Sequence, residues 1–117
     1  MPVSKKELSE CPIDAMLSVV DGRWKGTILW RLSEGPMRPS ELHRSIPGIT
    51  ERMLLRHLQE LVRDGILVRQ EESVVPPRVR YSISQYGCTL LPVLEVICVW
   101  GRNHLRVRNR QCGVSNT

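Results

Sequence analysis

Up to residue 64, apolar residues recur at helical spacing in four segments of the chain. The first begins at Pro12, which suits a first helical position because it lacks an N–H group, and predicts a helix over residues 12–20. The next three segments predict helices over residues 23–33, 41–46 and 51–64, separated by glycine-containing turns. Ser40 and Thr50 carry the side-chain oxygens that cap helices, so we expect them at the starts of the third and fourth.

The spacing then changes from helical to alternating. Residues 66–72 and 78–84 predict two antiparallel strands, joined by a tip that contains two prolines. In the second strand Arg78 and Arg80 share one face, and Tyr81 lies on the other. The pair of strands therefore forms a ribbon with a basic side and an apolar side.

A last apolar stretch predicts a long helix over residues 85–108, in which Pro92 causes a kink or marks the effective start. Residues 109–117 are polar and are expected to have no regular structure. A short helix, a turn, a longer helix and a ribbon, over residues 40–84, are typical of a winged helix-turn-helix. The predicted fold class is α+β, mostly α: a single winged helix-turn-helix domain over residues 1–117, with flanking N- and C-terminal dimerisation helices.

Composition limits the possible environments of the chain. Hydrophobic residues make up 41% and charged residues 25%, which argues against wholesale disorder. The N-terminal residues lack the apolar core of a signal peptide, and the apolar stretch at 90–100 is shorter than the roughly 20 residues of a membrane span. We therefore expect no membrane contact and a cytoplasmic protein. Its cysteines should be mostly reduced.

Charge and residue spacing narrow the function. The net charge of +5 favours polyanions such as nucleic acid, although only weakly. The cysteines and histidines do not fall at zinc spacing, so we expect no metal and no other cofactor. No catalytic triad, carboxylate pair or phosphate-binding loop is evident, so an enzyme is not expected. His43 and His57 are expected at the surface.

The fourth predicted helix is the best candidate for binding double-stranded operator DNA. Its leucines fall on one face and its arginines on the other. Recognition helices read bases with their first residues, where an arginine bound to guanine contributes about 1–3 kcal/mol of discrimination. The third helix and the ribbon would contact the DNA backbone. The residues expected to contact DNA are Ser40, Arg44, Thr50, Glu51, Arg52, Leu55, Arg56, Arg78 and Arg80. The alternative is a solvated charged surface, since residues 49–84 contain six basic and five acidic residues.

A series of short motifs resembles those of a known family. They are Cys11-Pro12, Gly22-Arg23-Trp24-Lys25, Ser40-Glu41-Leu42, Pro47-Gly48-Ile49-Thr50, Pro76-Pro77-Arg78-Val79 and Trp100-Gly101, in that order. This series, over about residues 11–105, resembles the HxlR-type transcriptional regulators, which are MarR-like. The resemblance implies a bacterial homodimer that binds inverted-repeat operators and represses or activates nearby genes. Pro39 departs from the pattern, because an aromatic residue often precedes Ser-Glu-Leu in the family.

The last predicted helix also carries a broad apolar stripe, which favours a symmetric homodimer. So small a domain offers the stripe little surface of its own to cover, although packing on its own domain is the alternative. The first helix would join the interface, and two recognition helices would then lie about one DNA turn, ~34 Å, apart. The expected interface residues are Ile13, Leu17, Leu90, Leu91, Leu94, Ile97, Cys98, Gly101 and Leu105.

Cys11 is a candidate redox sensor, because a helix N-terminus favours the reactive thiolate form of a cysteine. The resemblance implies that some family members sense electrophiles or oxidants with a cysteine at this place. Cys98 or Cys112 would then be its partner. The alternative is that Cys11 is simply a small buried apolar residue.

Two functions from different classes follow from these patterns. One is a sequence-specific transcriptional regulator that responds to electrophiles or oxidants through Cys11. The other is a winged-helix protein-interaction module without specific DNA binding. Steeply salt-dependent DNA binding would distinguish the first from the second. A small-molecule effector could also bind, but the sequence does not identify one.

Overall fold

The computed structural model describes residues 11–20 and 22–116, and the side chains of 11–20 and 22–110. Its elements in chain order are helices α1 (Pro12–Val20), α2 (Lys25–Leu32), α3 (Pro39–Ser45) and α4 (Glu51–Arg63), strands β1 (Leu67–Ser73) and β2 (Arg78–Ile83), and helix α5 (Leu91–Asn116). Helices α3 and α4 form the helix-turn-helix, and β1 with β2 forms the wing. The mostly helical α+β winged-helix fold is therefore confirmed.

The two helices of the helix-turn-helix begin by different local chemistry. Thr50 caps α4 as predicted, because its hydroxyl oxygen accepts a hydrogen bond from the Met53 N–H at 3.1 Å. Ser40 does not cap α3. That helix begins at Pro39, whose ring holds the backbone in a helical conformation one residue earlier, and Arg38 occupies the cap position.

Helix α5 begins later and ends later than predicted. Pro92 is its second residue, and the short 3-10 turn Gly87–Leu90 precedes it, where the Ser84 hydroxyl accepts a hydrogen bond from the Gly87 N–H at 2.8 Å. No proline follows Pro92 in the sequence, so nothing removes a backbone donor from the helix. Residues 109–116, predicted to be irregular, are therefore helical. No helix within the described residues is apolar enough over its length to cross a membrane.

The hydrophobic core lies between the helix-turn-helix, α2 and the base of the wing. Leucines recur along α4 so that one face of this helix is fully buried while the opposite face stays in solvent. Tyr81 of β2 is also buried and anchors the wing on the core. The largest fully buried side chains are Ile28, Leu29, Leu42, Leu54, Leu58 and Leu61.

Backbone hydrogen bonds on both sides of β2 position the wing. On one side β2 pairs with β1, where a bulge between Glu71 and Ser73 leaves Glu72 without a directly opposite residue. On the other side Met37 and Tyr81 exchange two backbone hydrogen bonds, of 3.0 and 2.8 Å. The residues just before α3 therefore lie alongside the wing.

Gly87 provides a test of the packing between the wing and α5. A Cβ atom at this buried position would overlap the backbone carbonyl of Ile66, which cannot move aside as a flexible side chain can. We expect Gly87→Ala to lower the free energy of unfolding by about 1–3 kcal/mol in urea denaturation. Gly26→Ala in α2 is the matched control, since no atom lies within 4 Å of its added Cβ. It should be neutral or slightly stabilising. Equal losses in both variants would contradict the close approach at Gly87.

Candidate nucleic-acid interface

The outer face of α4 is polar and open to solvent. Arg52 and Arg56 are exposed there, close to the start of the helix. Leu55 lies between them and is 44% exposed. The predicted residues that the structure brings together on this face are Thr50, Glu51, Arg52, Leu55 and Arg56.

Helix α3 presents Ser40 and Arg44 to solvent four residues apart, which places them on one side of the helix. The turn from α3 to α4 is held by His43, whose Nε2 lies 3.0 Å from the backbone oxygen of Ile49. His43, expected at the surface, is therefore half-buried and structural. Gly48 completes the turn with a φ of +93°, in the left-handed region that glycine enters without strain.

The two wing arginines differ in their surroundings. Arg78 is exposed at the start of β2. Arg80 is only 38% exposed at its side chain, and its Nε lies 2.9 Å from Oε2 of Glu72. Sequence spacing places both arginines on one face, but only the structure shows that Arg80 is already paired with an acid.

An ion pair between a buried lysine and a partly exposed glutamate fixes the inner side of α4 to α2. Lys25 Nζ lies 2.9 Å from Oε1 of Glu60, and the lysine side chain is only 6% exposed. The hydrogen bond from Lys25 holds the pKa of Glu60 below its ordinary value, with further help from the lysine charge and from His57. Desolvation of the carboxylate opposes these effects but does not outweigh them.

His57 is buried, so the expectation that it lies at the surface was wrong. It occupies the same face of α4 as Leu54 and Leu61, one turn away from each, and that face packs on the core. Its Nδ1 lies 3.6 Å from the Glu60 carboxylate. Helical projection of α4 could have identified this position, whereas the pairing of Glu60 with distant Lys25 has no local signal in the sequence.

Comparison with known proteins identifies the family. The sequence model of the HxlR-like helix-turn-helix family matches residues 19–109. This chain belongs to that family. The regulator YtcD of Bacillus subtilis, named as an HTH-type transcriptional regulator, is 42% identical over 101 residues, which cover 86% of this chain and 80% of YtcD. The crystal structure of YtcD matches with a TM-score of 0.76 over 81% of this chain and 97% of that one.

Two further structures extend the comparison. The redox regulator HypR in its reduced form is 38% identical and matches with a TM-score of 0.78, over 82% of this chain and 95% of that one. A MarR-family transcriptional regulator from Enterococcus faecalis is 34% identical and matches with a TM-score of 0.74, over 86% of this chain and 92% of that one. The chain is therefore a transcriptional regulator of the HxlR and MarR type, a non-enzymatic role.

In this HxlR-family chain the apolar surface on α1 and α5 differs in extent from the predicted stripe. Leu94 is buried in the chain's own core, and Leu90 and Leu91 are half-buried against it, because the turn after the wing places the start of α5 on the core. The other predicted residues remain at the surface: Ile13, Leu17, Ile97 and Leu105 are exposed, and Cys98 and Gly101 are half-buried. Exposed Val96, Val99, Trp100 and Val107 were not predicted.

A groove of about 530 Å³ lies between α1, α2 and α5, lined partly by Met16, Trp30 and Ile97. Cys98 also lines it. Cys11 is exposed, directly before α1, and so is not the buried residue that the alternative interpretation required. The side chain of Cys112, the other suggested partner, lies outside the described residues.

The ion pair between Lys25 and Glu60 predicts a pH dependence of stability. Because the folded state lowers the Glu60 pKa, its contribution is fully present above the ordinary value of 4.5 and is lost as the pH falls through the lowered value. We expect Glu60→Gln to reduce the free energy of unfolding by about 1 kcal/mol at neutral pH, since the pair is partly exposed to solvent. In urea denaturation, the difference from the unmodified protein should shrink as the pH is lowered below 4.5.

Glu34→Gln, which removes the same charge from an exposed side chain after α2, is the control. A stability difference for Glu60→Gln that stays constant across the acid range would show that the carboxylate charge is not what stabilises the contact.

Proposed function

We propose that this chain is a sequence-specific DNA-binding regulator that binds an inverted-repeat operator as a homodimer. The observation that carries the proposal is the free polar face at the start of α4, held outward by the burial of the leucines on its other side. A rigid helix with an exposed arginine face, preceded by a short helix, fits the major groove of DNA.

Each element of the proposed interface has its own role. Arg52 and Arg56 read bases, since a guanidinium can donate two hydrogen bonds to guanine. Leu55 contacts a thymine methyl group, and Glu51 can accept a hydrogen bond from cytosine. Thr50, at the positive end of the α4 dipole, holds a phosphate with the backbone N–H groups there. Ser40 and Arg44 of α3 contact the backbone, and Arg78 and Arg80 bring the wing to the flanking backbone or minor groove.

Homodimer formation is supported by the shape of α5. The helix has 26 residues and so is about 39 Å long, while its first turns alone reach the core. The remaining turns carry exposed apolar residues, including Ile97 and Leu105, and α1 exposes Ile13 and Leu17 beside them. A second copy of the chain would cover this surface through a two-fold axis. As such a regulator, the protein would act in the bacterial cytoplasm, on the nucleoid when bound to DNA.

A response to electrophiles or oxidants through Cys11 is a further part of the proposal. The thiol is exposed and lies directly before the first residue of α1, so a dissolved oxidant or electrophile can reach it. HypR, a structural neighbour, is named as a redox regulator and is solved in reduced and oxidised forms. The groove beside Cys98 has a volume typical of small-molecule sites, so an effector could also bind there.

Selection of genomic DNA fragments by the reduced protein, followed by sequencing, tests the DNA-binding proposal. We expect enrichment of one inverted repeat whose half-sites lie about one helical turn apart. Enrichment of a single unrepeated site would contradict the dimeric arrangement. If folded protein repeatedly enriches nothing, specific DNA binding is excluded, and the protein-interaction module becomes the function to test.

Arg56→Ala tests base reading by α4. We expect this variant to weaken binding to the selected operator by about 1–3 kcal/mol and to relax specificity at one base pair, because two hydrogen bonds to a base are lost. Arg63→Ala is the matched control, since it removes the same charge from an exposed position two turns further along α4. Fluorescence anisotropy measures affinity, and sedimentation shows whether the dimer persists. Equal losses in both variants would remove Arg56 from base reading.

Cys11→Ser tests the proposed sensor. We expect diamide, a thiol oxidant, to change the operator affinity of the unmodified protein and to leave that of Cys11→Ser unchanged, because serine cannot form a disulfide. Cys88→Ser is the control, since Cys88 is also exposed. A full response to diamide in Cys11→Ser would assign sensing to another cysteine.

A further inference from the structure

Two arginines meet at the junction between the wing and the helix-turn-helix. The backbone bridge between Met37 and Tyr81 places the next residue on each strand side by side, and these residues are Arg38 and Arg80. Each side chain is only partly exposed, so their charges are weakly screened by water. Two like charges in this position repel each other unless an anion lies between them.

Glu72 supplies that anion. Its Oε1 lies 3.5 Å from a guanidinium nitrogen of Arg38, and its Oε2 lies 2.9 Å from Nε of Arg80. The two carboxylate oxygens thus contact two different arginines. Gln70 lies directly opposite Arg80 in the strand register, and Glu72 follows Gln70 by two residues. Strand alternation therefore places the side chains of Glu72 and Arg80 on the same face of the wing.

The same arginines are next to the surface assigned to DNA. Arg80 belongs to the proposed wing contact, and Arg38 is the residue before α3, the helix that carries Ser40 and Arg44. A DNA phosphate and the Glu72 carboxylate are both anions that bind a guanidinium through its N–H groups. They therefore compete for the same donors. With Glu72 in place, the three side chains carry a net charge of +1. Without the glutamate charge, both positive charges would be available to a phosphate.

We propose that Glu72 is a positioning residue that acts as an internal counter-ion for Arg38 and Arg80 and thereby weakens binding to the phosphate backbone of any duplex. This inference rests on the proposed DNA-binding function. The wing then adds less to the affinity for DNA of any sequence. Base reading by α4 consequently accounts for a larger share of the affinity for the operator. A phosphate that approaches the wing must first displace a carboxylate that is already bound.

Glu72→Gln and Glu71→Gln form a matched pair of variants for the test. Both remove one negative charge from β1, and Glu71 also has an arginine near it, with Arg69 Nη1 at 3.5 Å. Of these two glutamates, Glu72 is the one that contacts the guanidinium groups of Arg38 and Arg80. The probe is a labelled 30-base-pair duplex of mixed sequence (about three helical turns), and binding is measured from about 50 to 200 mM salt.

We expect Glu72→Gln to bind this duplex more tightly than the unmodified protein at the lower salt concentration. Its plot of log affinity against log salt should be steeper by about 1, because one more cation meets a phosphate. Its advantage should consequently fall about fourfold across that salt range. Glu71→Gln should keep the slope of the unmodified protein. The double variant with Glu72→Gln and Arg80→Gln should lose most of the affinity that Glu72→Gln gains. Arg80→Gln should therefore reduce affinity more in the Glu72→Gln variant than in the unmodified protein.

The outcomes separate this inference from the function on which it rests. If the unmodified protein binds DNA but Glu72→Gln and Glu71→Gln behave alike, the counter-ion role is wrong and the DNA-binding function stands. Weaker binding by Glu72→Gln, with no change in slope, would show that Glu72 only stabilises the wing. If no variant binds the duplex even at the lower salt concentration, the proposed function itself fails and the inference fails with it.

Discussion

Burial of the leucine face of α4 is the constraint on which the rest of the structure depends. Each fully buried leucine contributes up to about 1.5–3 kcal/mol, and Leu54, Leu58 and Leu61 all lie on this face. Rotating α4 about its axis would expose these side chains and bury arginines, so the helix has one favourable orientation. The pair between Lys25 and Glu60 adds a specific contact at the edge of the same face. The outward direction of the arginines is therefore a consequence of the core.

The arginines of this fold differ in how freely their charges can meet a binding partner. Arg52 and Arg56 point into solvent from a helix whose opposite face is apolar, so their charges are free to meet a partner. Arg80 lies beside Arg38 and is already neutralised in part by Glu72. A count of basic residues treats these arginines as equal. The electrostatic field that DNA would meet depends on which of them has an acid within hydrogen-bond distance.

Helix α5 joins two structural roles in one element. Its first turns complete the core of the single chain, where Leu94 is buried. Its later turns extend beyond the core and expose apolar side chains such as Trp100, which stacks on His104 with ring centres 5.0 Å apart. An amphipathic helix gains most of its stability from packing, and the proposed homodimer would supply that packing to these later turns.

The amino-acid sequence by itself determined the order of elements, the amphipathic character of α4 with its Thr50 cap, and the family, because these depend on spacing within short segments. Local spacing also placed Arg52, Leu55 and Arg56 of α4 correctly in solvent, and helical projection contained the burial of His57. Only the tertiary structure decided that Leu94 is buried in the core of the chain and that Glu72 neutralises Arg80. Both features depend on contacts between different elements of the fold. Periodicity describes one element at a time, whereas burial and ion pairing are set by how several elements pack together.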